Sequence, residues 1–200
     1  MDAPMSLQSG MSAQLSEVPG GSTVAVPFAR PLVRPENALQ YEVKVVAPDV
    51  AGTVSGIGGW LFDRAMAGWR VGVVVEEGGD ERALRVLGLN AVGLNALWSS
   101  AGADSVAMTV IGTSCFESGD HGLTASCAVG DVVFFGSHAP DGFGEQIQRV
   151  EYRPSAAALA FKAHAWAMAG GDPGPVGSVE TLFRYGRSAG LPDADLAPVC

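Results

Sequence analysis

The sequence predicts an α/β fold: a mainly parallel sheet in a Rossmann-like three-layer arrangement, with an antiparallel edge and C-terminal helices. Three apolar segments, at 41–47, 70–77 and 104–112, have the length and β-branched content of buried strands. Segments with helical periodicity at 55–68 and 80–98 separate them. Alternation of strand and helix with short connections favours parallel strands joined by right-handed crossovers.

The elements of the first half follow from local signals. The strand 41–47 reads YEVKVVA and alternates at its start. Ser55 is a candidate N-cap for the first helix, and Gly68 is a candidate for its end. The strand 70–77 has almost no polar interruption, as expected for a strand covered on both faces. Acidic residues in the first turn of the second helix favour its dipole.

The second half changes character after Gly112. Small, polar and glycine-rich residues predict a long loop, with a short strand at 123–128 inside it. The expected elements beyond the loop are a strand at 131–137, an edge strand at 147–153, a helix at 154–169 begun by its proline, and a helix at about 178–188.

Composition limits the partners. The chain has 200 residues, enough for one domain, and a formal net charge of -9. An acidic chain with twelve Lys and Arg residues and no basic run predicts no nucleic-acid partner and no anionic membrane partner. Lys44 and Lys162 are the two lysines among those basic residues. With abundant Ala, Gly and Val, this bias indicates a GC-rich bacterial genome such as that of an actinobacterium.

The N-terminal part differs from the rest. Prolines and a Gly-Gly-Ser run predict a mobile tail over 1–22 and an extended, proline-rich arm over 23–40, ahead of a single α/β domain at 41–200. Apolar side chains within 23–36 indicate that the arm packs on its own domain or on a partner, including a second subunit. Both alternatives stay open.

Cysteine usage and the N-terminus indicate the compartment. Cys115, Cys127 and Cys200 form an odd set without tight spacing, which favours reduced thiols over a disulfide framework. The first residues carry an acid where a signal peptide has a base. The expectation is a soluble, cytoplasmic protein.

A glycine-rich segment is the first candidate site. Gly56, Gly58 and Gly59 follow Ser55 at the predicted helix start, where N–H groups and the helix dipole suit an anion. Glu76 lies twenty residues after Gly56, a separation at which a dinucleotide-binding fold places an acid on the ribose. The third glycine of that fingerprint is missing, and no Walker Lys-Ser/Thr follows. Close packing of the helix on the sheet is therefore the favoured interpretation.

The polar loop after the third parallel strand is the second candidate site. Ligands in open α/β sheets bind outside the carboxyl ends of strands, where this loop begins. A cysteine with a nearby histidine and acid could form a nucleophile set. The candidate side chains of the loop are Ser114, Cys115, Glu117, Asp120, His121 and Cys127.

Zinc is the alternative considered for the same loop. The candidate ligands are Cys115, His121, Cys127 and His138. Five, five and ten residues lie between successive members of this set, and this spacing matches no common zinc pattern. The prediction is no metal, and no cofactor is assigned.

Two functional hypotheses result. The first is a non-catalytic binding or assembly module, with self-association as one of its roles, because no complete catalytic motif is present. The alternative is a small enzyme or sensor that binds a nucleotide or another anionic ligand at the Gly56–Gly59 helix start. The fold alone cannot choose between them.

Overall fold

The computed structural model describes residues 40–99, 105–118, 131–172, 176–186 and 197–198. The predicted tail and arm, up to residue 39, lie outside this part of the chain, as does the predicted strand at 123–128.

The sheet has the predicted mixed architecture. Among the described residues, eight strands lie in the order β3-β2-β1-β4-β5-β7-β6-β8. The first five strands of this order are parallel to one another, whereas β7 is antiparallel to β5 and β6, and β6 is antiparallel to β8. The strands are β1 Gln40–Ala47, β2 Arg70–Val75, β3 Asn90–Ala91, β4 Ser105–Gly112, β5 Asp131–Phe135, β6 Ile147–Tyr152, β7 Glu180–Tyr185 and β8 Ala197–Pro198.

Helices cover both faces of the sheet. They are α1 Val50–Met66, α2 Arg82–Val86, α3 Leu94–Ser99, α4 Thr113–Glu117 and α5 Ala156–Met168. Consecutive residues of β1 face opposite cores, as strand geometry requires. Val45 packs in the core formed with α1, α2 and α5, while Val46 packs in the core formed with Leu97 of α3 and Cys115 of α4. The result is the three-layer α/β arrangement.

The first helix begins earlier than predicted. Only Pro48 and Asp49 separate β1 from α1, and the Asp49 side chain caps the helix by accepting a hydrogen bond from the Gly52 N–H. The predicted N-cap Ser55 therefore lies inside the helix. Glycines and β-branched residues between Val50 and Gly59 lower helix propensity, but burial of this face against the sheet outweighs that cost.

The end of α1 is as predicted. Ala67 is the C-cap, and Gly68 follows at φ 88°, a conformation that glycine adopts without strain.

The segment predicted as one helix over 80–98 is divided. Gly88, at φ 72°, ends the short helix α2, and Asn90–Ala91 then pairs with β2 as the edge strand β3. Helix α3 follows. The glycines that weakened the predicted helix are thus the points where the chain turns back to the sheet.

The last predicted helix, at about 178–188, is wrong. Glu180–Tyr185 is strand β7, hydrogen-bonded between β5 and β6. Its consecutive residues Leu182 and Phe183 pack in opposite cores, which a strand between two others achieves and a surface helix does not. The period of this short apolar run is that of a strand, and length alone did not distinguish the two.

Helices α1 and α5 are tied together at one carboxylate. Asp63 of α1 accepts hydrogen bonds from the Tyr152 hydroxyl at 2.7 Å, the Ser155 N–H at 2.9 Å and the Ser155 hydroxyl at 2.6 Å. Ser155 is also the N-cap of α5. The start of α5 is therefore fixed against the last turn of α1.

None of the helices within the described segments is long and apolar enough to cross a membrane.

Candidate functional site

A pocket of about 430 Å³ opens at the carboxyl ends of the parallel strands. Its walls come from the ends of β1, β4 and β5, the first two turns of α1, and the start of β7. Strand order reverses between β1 and β4, which is the switch point where open α/β sheets bind ligands. We call this cavity the strand-end pocket.

The structure brings three predicted site residues to this pocket. Ser55 and Gly56 line it from α1, and Ser114 lines it from α4. Gly56 approaches β5 closely, because a Cβ there would lie 3.2 Å from the Phe135 ring. Among the described candidates of the polar loop, Ser114 lines this pocket, whereas Cys115 and Glu117 do not.

Other predicted site residues lie elsewhere. Gly58 and Gly59 are in the middle of α1 and do not line the pocket. Glu76 lies just beyond β2, outside the lining, with its side chain near Cys115. Asp120 and His121 lie outside the described residues.

A carboxylate of the chain itself, that of Asp49, caps the start of α1. The Asp49 carboxylate accepts the Gly52 N–H at 2.5 Å, and the Thr53 hydroxyl donates to the Asp49 carbonyl at 2.7 Å. The positive end of the helix dipole is therefore partly neutralised by the chain itself. A helix start at Gly56–Gly59 that could hold a phosphate is not present, since these glycines follow the true N-terminus by a full turn or more.

Gly59 and the next residue, Trp60, instead bind a carboxylate of this chain. The N–H groups of Gly59 and Trp60 each donate to the Glu180 side chain at 2.8 Å. Lys162 donates to the same carboxylate at 2.5 Å, and both charged side chains are buried, with 1% and 0% of their side-chain surface exposed. Burial raises the pKa of the Glu180 carboxyl, and Lys162 and the two N–H groups partly oppose that rise.

Sequence reasoning could not find this contact. Glu180 is 121 residues from Gly59 along the chain, and it lies in a segment predicted as helix. Glu180 also lines the strand-end pocket, so the buried pair forms part of its wall.

A hydrogen-bonded chain of three polar side chains lies at the mouth of the pocket. The Ser137 hydroxyl oxygen is 3.0 Å from His138 Nδ1, and His138 Nε2 is 3.1 Å from Glu117 Oε1. A carboxylate only accepts, so this contact favours the tautomer with the proton on Nε2. His138 Nδ1 is then an acceptor for the Ser137 hydroxyl proton.

The backbone that carries Ser137 and His138 is fixed by Thr113. The buried Thr113 hydroxyl lies 3.2 Å from the Phe135 carbonyl oxygen and 3.0 Å from the His138 carbonyl oxygen. Gly136 passes so close that a Cβ there would lie 3.1 Å from the Thr113 hydroxyl, and its φ of 153° also favours glycine. The loop after β5 therefore wraps around the start of α4.

The sequence-based hypotheses give His138 and Glu117 different roles. There His138 is only a zinc candidate, and Glu117 is only an acid beside Cys115. The available signal is the position of Ser137 and His138 directly after a buried parallel strand, where function concentrates in this fold.

Cys115 is not suited to the nucleophile role considered for it. The side chain is buried, with 1% exposure, and burial together with the nearby Glu76 raises the pKa of its thiol to about 12. A thiol with that pKa is protonated at neutral pH, and the thiolate is the reactive form. It packs in the core beneath α4.

The expectation that the protein binds no metal ion stays a prediction. Within the described ranges, no group of three or more His, Cys, Asp and Glu side chains is arranged to hold a metal ion. We expect elemental analysis of the purified protein to find no stoichiometric zinc. About one zinc per chain would contradict this, because a resident site binds its metal tightly enough to survive purification.

No protein-family model matches the chain, and no curated protein matches it. Solved structures show a distant likeness. The A40926 pseudoaglycone deacetylase Dbv21 has a TM-score of 0.49 at 13% identity, over 73% of this chain and 98% of that one. A deacetylase triple mutant, Orf2*T, of the teicoplanin biosynthetic pathway has a TM-score of 0.44 at 12% identity, over 74% and 99%. The conserved protein TT1542 from Thermus thermophilus has a TM-score of 0.41 at 17% identity, over 65% and 79%.

The first functional hypothesis is corrected at this point. Two of these three structures are deacetylases by name, which contradicts a non-catalytic binding or assembly module. That hypothesis is wrong and is not retained. The likeness concerns the fold, so any chemistry has to be argued from the side chains of this chain.

Proposed function

We propose that this chain is a small hydrolase or acyl-transfer enzyme that acts on an ester or amide bound in the strand-end pocket. One observation carries the proposal: the chain of hydrogen bonds from Ser137 through His138 to Glu117 at the mouth of that pocket. A hydroxyl bonded to a base, with the base oriented by a third group, is the arrangement that nucleophilic catalysis needs.

The roles follow from the hydrogen bonds. His138 Nδ1 takes the proton of the Ser137 hydroxyl as the oxygen attacks the acyl carbon. Glu117 holds the ring through Nε2 and stabilises the imidazolium that forms. The imidazolium returns the proton to the leaving alcohol or amine, and water then releases the acyl group from Ser137 by the same steps in reverse order.

The pocket suits a small substrate. A volume of about 430 Å³ lies within the range of small-molecule sites, and the lining combines Phe135 and Val179 with several hydroxyl groups. Thr113 holds the Ser137–His138 segment from beneath, which keeps nucleophile and base in position before substrate binds.

The proposed setting is a bacterial cytoplasm. The composition of the chain and its cysteine pattern support this setting. Cys115 is an unpaired, buried thiol in the described structure.

Kinetics on small acyl substrates test the proposal. We expect hydrolysis of p-nitrophenyl acetate or of an N-acetylated amine by the intact chain, and a loss of about 100-fold or more in kcat for Ser137→Ala and for His138→Asn. Glu117→Gln should lose less, because the amide can still accept from Nε2 but carries no charge.

Matched controls exist elsewhere in the chain. Ser178→Ala changes an exposed serine that precedes the lining residue Val179 but does not itself line the pocket, and His164→Asn changes an exposed histidine of α5. Both variants should keep full activity. Activity that survives His138→Asn, or no turnover of any ester or amide in a panel of short acyl substrates, would remove the proposal. Activity that survives Ser137→Ala alone would transfer the nucleophile role to a water molecule activated by His138.

A further inference from the structure

We infer that the strand-end pocket selects a ligand that carries an ammonium group and discriminates against carboxylates and phosphates. For the reaction, this inference rests on the proposed function; for binding, it rests only on the charges around the pocket. None of the described residues that line the pocket is Lys or Arg. The ionisable groups of the lining are His138 and Glu180.

The first determinant is the capped start of α1. In nucleotide-binding α/β folds, the N–H groups at the helix after the first strand receive a phosphate. Here the Asp49 carboxylate accepts the Gly52 N–H, and Gly52 lines the pocket. A phosphate at this position would meet a negative charge instead of an unpaired donor.

The second determinant is the buried ion pair in the wall. Lys162 is the basic side chain bonded to Glu180, but it has 1% exposure and donates to that carboxylate. Its charge is therefore already compensated, and it cannot reach an anion in the pocket without breaking the pair.

The third determinant is the mouth of the pocket. Glu117 keeps 35% of its side-chain surface exposed while it contacts His138. Glu76 and Asp49 both act electrostatically on the thiol of Cys115, which lies 3.4 Å from where a Cβ on the lining residue Gly112 would be. These three carboxylates do not line the pocket themselves, but they follow the carboxyl ends of β1, β2 and β4, at the edge of the sheet where the pocket opens. The net charge of -9 adds a long-range field of the same sign.

The exposed apolar side chains of α1 and α5, such as Met66 and Phe161, do not bear on this selectivity. The preference for a cationic ligand should come from charge alone. Ligands of the same shape and different charge are therefore suitable for the test.

Three acetate esters of similar size test the inference. They are the trimethylammonioethyl ester, its uncharged 3,3-dimethylbutyl isostere, and the anionic 3-acetoxypropanoate. We expect kcat/KM to be about tenfold higher for the cation than for its isostere, and lowest for the anion, because a ratio of that size corresponds to an energy between the attraction of a cation to a carboxylate in bulk water and that near a protein surface. High salt should reduce the ratio, since these groups are partly exposed.

Binding is measured separately from turnover. The matching alcohols, which are choline, 3,3-dimethylbutanol and 3-hydroxypropanoate, are titrated by NMR against the intact protein and against His138→Asn. We expect choline to bind more tightly than the other two in both proteins, and ATP and NAD to cause no thermal shift. If choline binds selectively while no ester is hydrolysed, the proposed function fails and this inference stands.

A variant at Ser55 can add a positive charge to the pocket wall. Ser55 is exposed, lines the pocket from α1, and makes only a local hydrogen bond to the Gly52 carbonyl at 3.3 Å. Ser55→Lys should abolish the preference for the cation, whereas Ser55→Gln, of similar length without charge, should keep it. Equal affinity for choline and its isostere in the parent protein, tighter binding of 3-hydroxypropanoate, or no binding of any of the three alcohols would overturn the inference.

Discussion

Replacing Lys162 by methionine should lower the free energy of unfolding by about 3–5 kcal/mol at neutral pH. Methionine keeps the length of the side chain in the core beside α5, so the change removes the charge and little packing. The Glu180 carboxylate would then be buried with its two backbone donors, Gly59 and Trp60, but without its cation. A buried charge without its partner is the costly product of such a substitution.

The loss of stability caused by Lys162→Met should increase with pH. Burial raises the folded-state pKa of Glu180 above its ordinary value of 4.5, so the folded protein binds more protons than the unfolded chain between those two pKa values. Stability therefore falls as pH rises through that interval. Without Lys162 the opposing effect is lost and the pKa rises further. The deficit of Lys162→Met should be larger at pH 8 than at pH 5.

Urea unfolding at both pH values measures this deficit. His164→Met places the same side chain at an exposed position of α5 and should change stability little. A deficit for Lys162→Met below about 1 kcal/mol, or one that is equal at pH 5 and pH 8, would contradict the role assigned to the pair.

The parallel half of the sheet was predictable because its signal is local. The strands β1, β2 and β4 contain runs of β-branched and other apolar residues bounded by polar turns, as expected for strands covered on both faces, although β1 also carries Glu42 and Lys44. A predicted helix start after β1 indicated Ser55 and Gly56, and the rule that ligands bind at the carboxyl ends of parallel strands indicated Ser114; all three line the pocket.

The start of α1 was missed although its signal was present. Asp49 is a strong N-cap residue directly after a strand and a proline. The weak helix formers that follow it favoured a later start, and only their packing against the sheet decides the matter. Local propensity gave the wrong boundary because tertiary burial outweighed it.

Contacts between distant segments were beyond sequence reasoning. Glu117 and His138 are 21 residues apart, and Glu180 is 18 residues from Lys162 and 121 from Gly59. No periodic pattern relates such positions. The helix predicted at 178–188 also hid Glu180, since a helix at the C-terminal end of the chain gave no reason to place this residue in the sheet beside the pocket.

The two adjacent glycines of α1 should respond differently to the same substitution. A Cβ on Gly59 would lie 2.6 Å and 2.7 Å from the Pro154 ring and 3.0 Å from Glu180 Oε1. The ring cannot yield easily, because Asp63 of α1 binds Ser155 and Tyr152 on either side of it. Gly59→Ala should therefore lower the free energy of unfolding by about 1–3 kcal/mol through overpacking.

Gly58→Ala is the matched control for Gly59→Ala. A Cβ there would first meet Leu87 Cδ1 at 3.2 Å, the end of a flexible side chain that can move by a few tenths of an ångström. Alanine also gains about 0.5–1 kcal/mol over glycine inside a helix, so this variant should be neutral or more stable than the parent protein. Thermal and urea unfolding of both variants measure the difference. Equal effects of the two substitutions would mean that the helix moves as a unit, and that the Gly59 N–H and the Glu180 carboxylate do not fix its distance from Pro154.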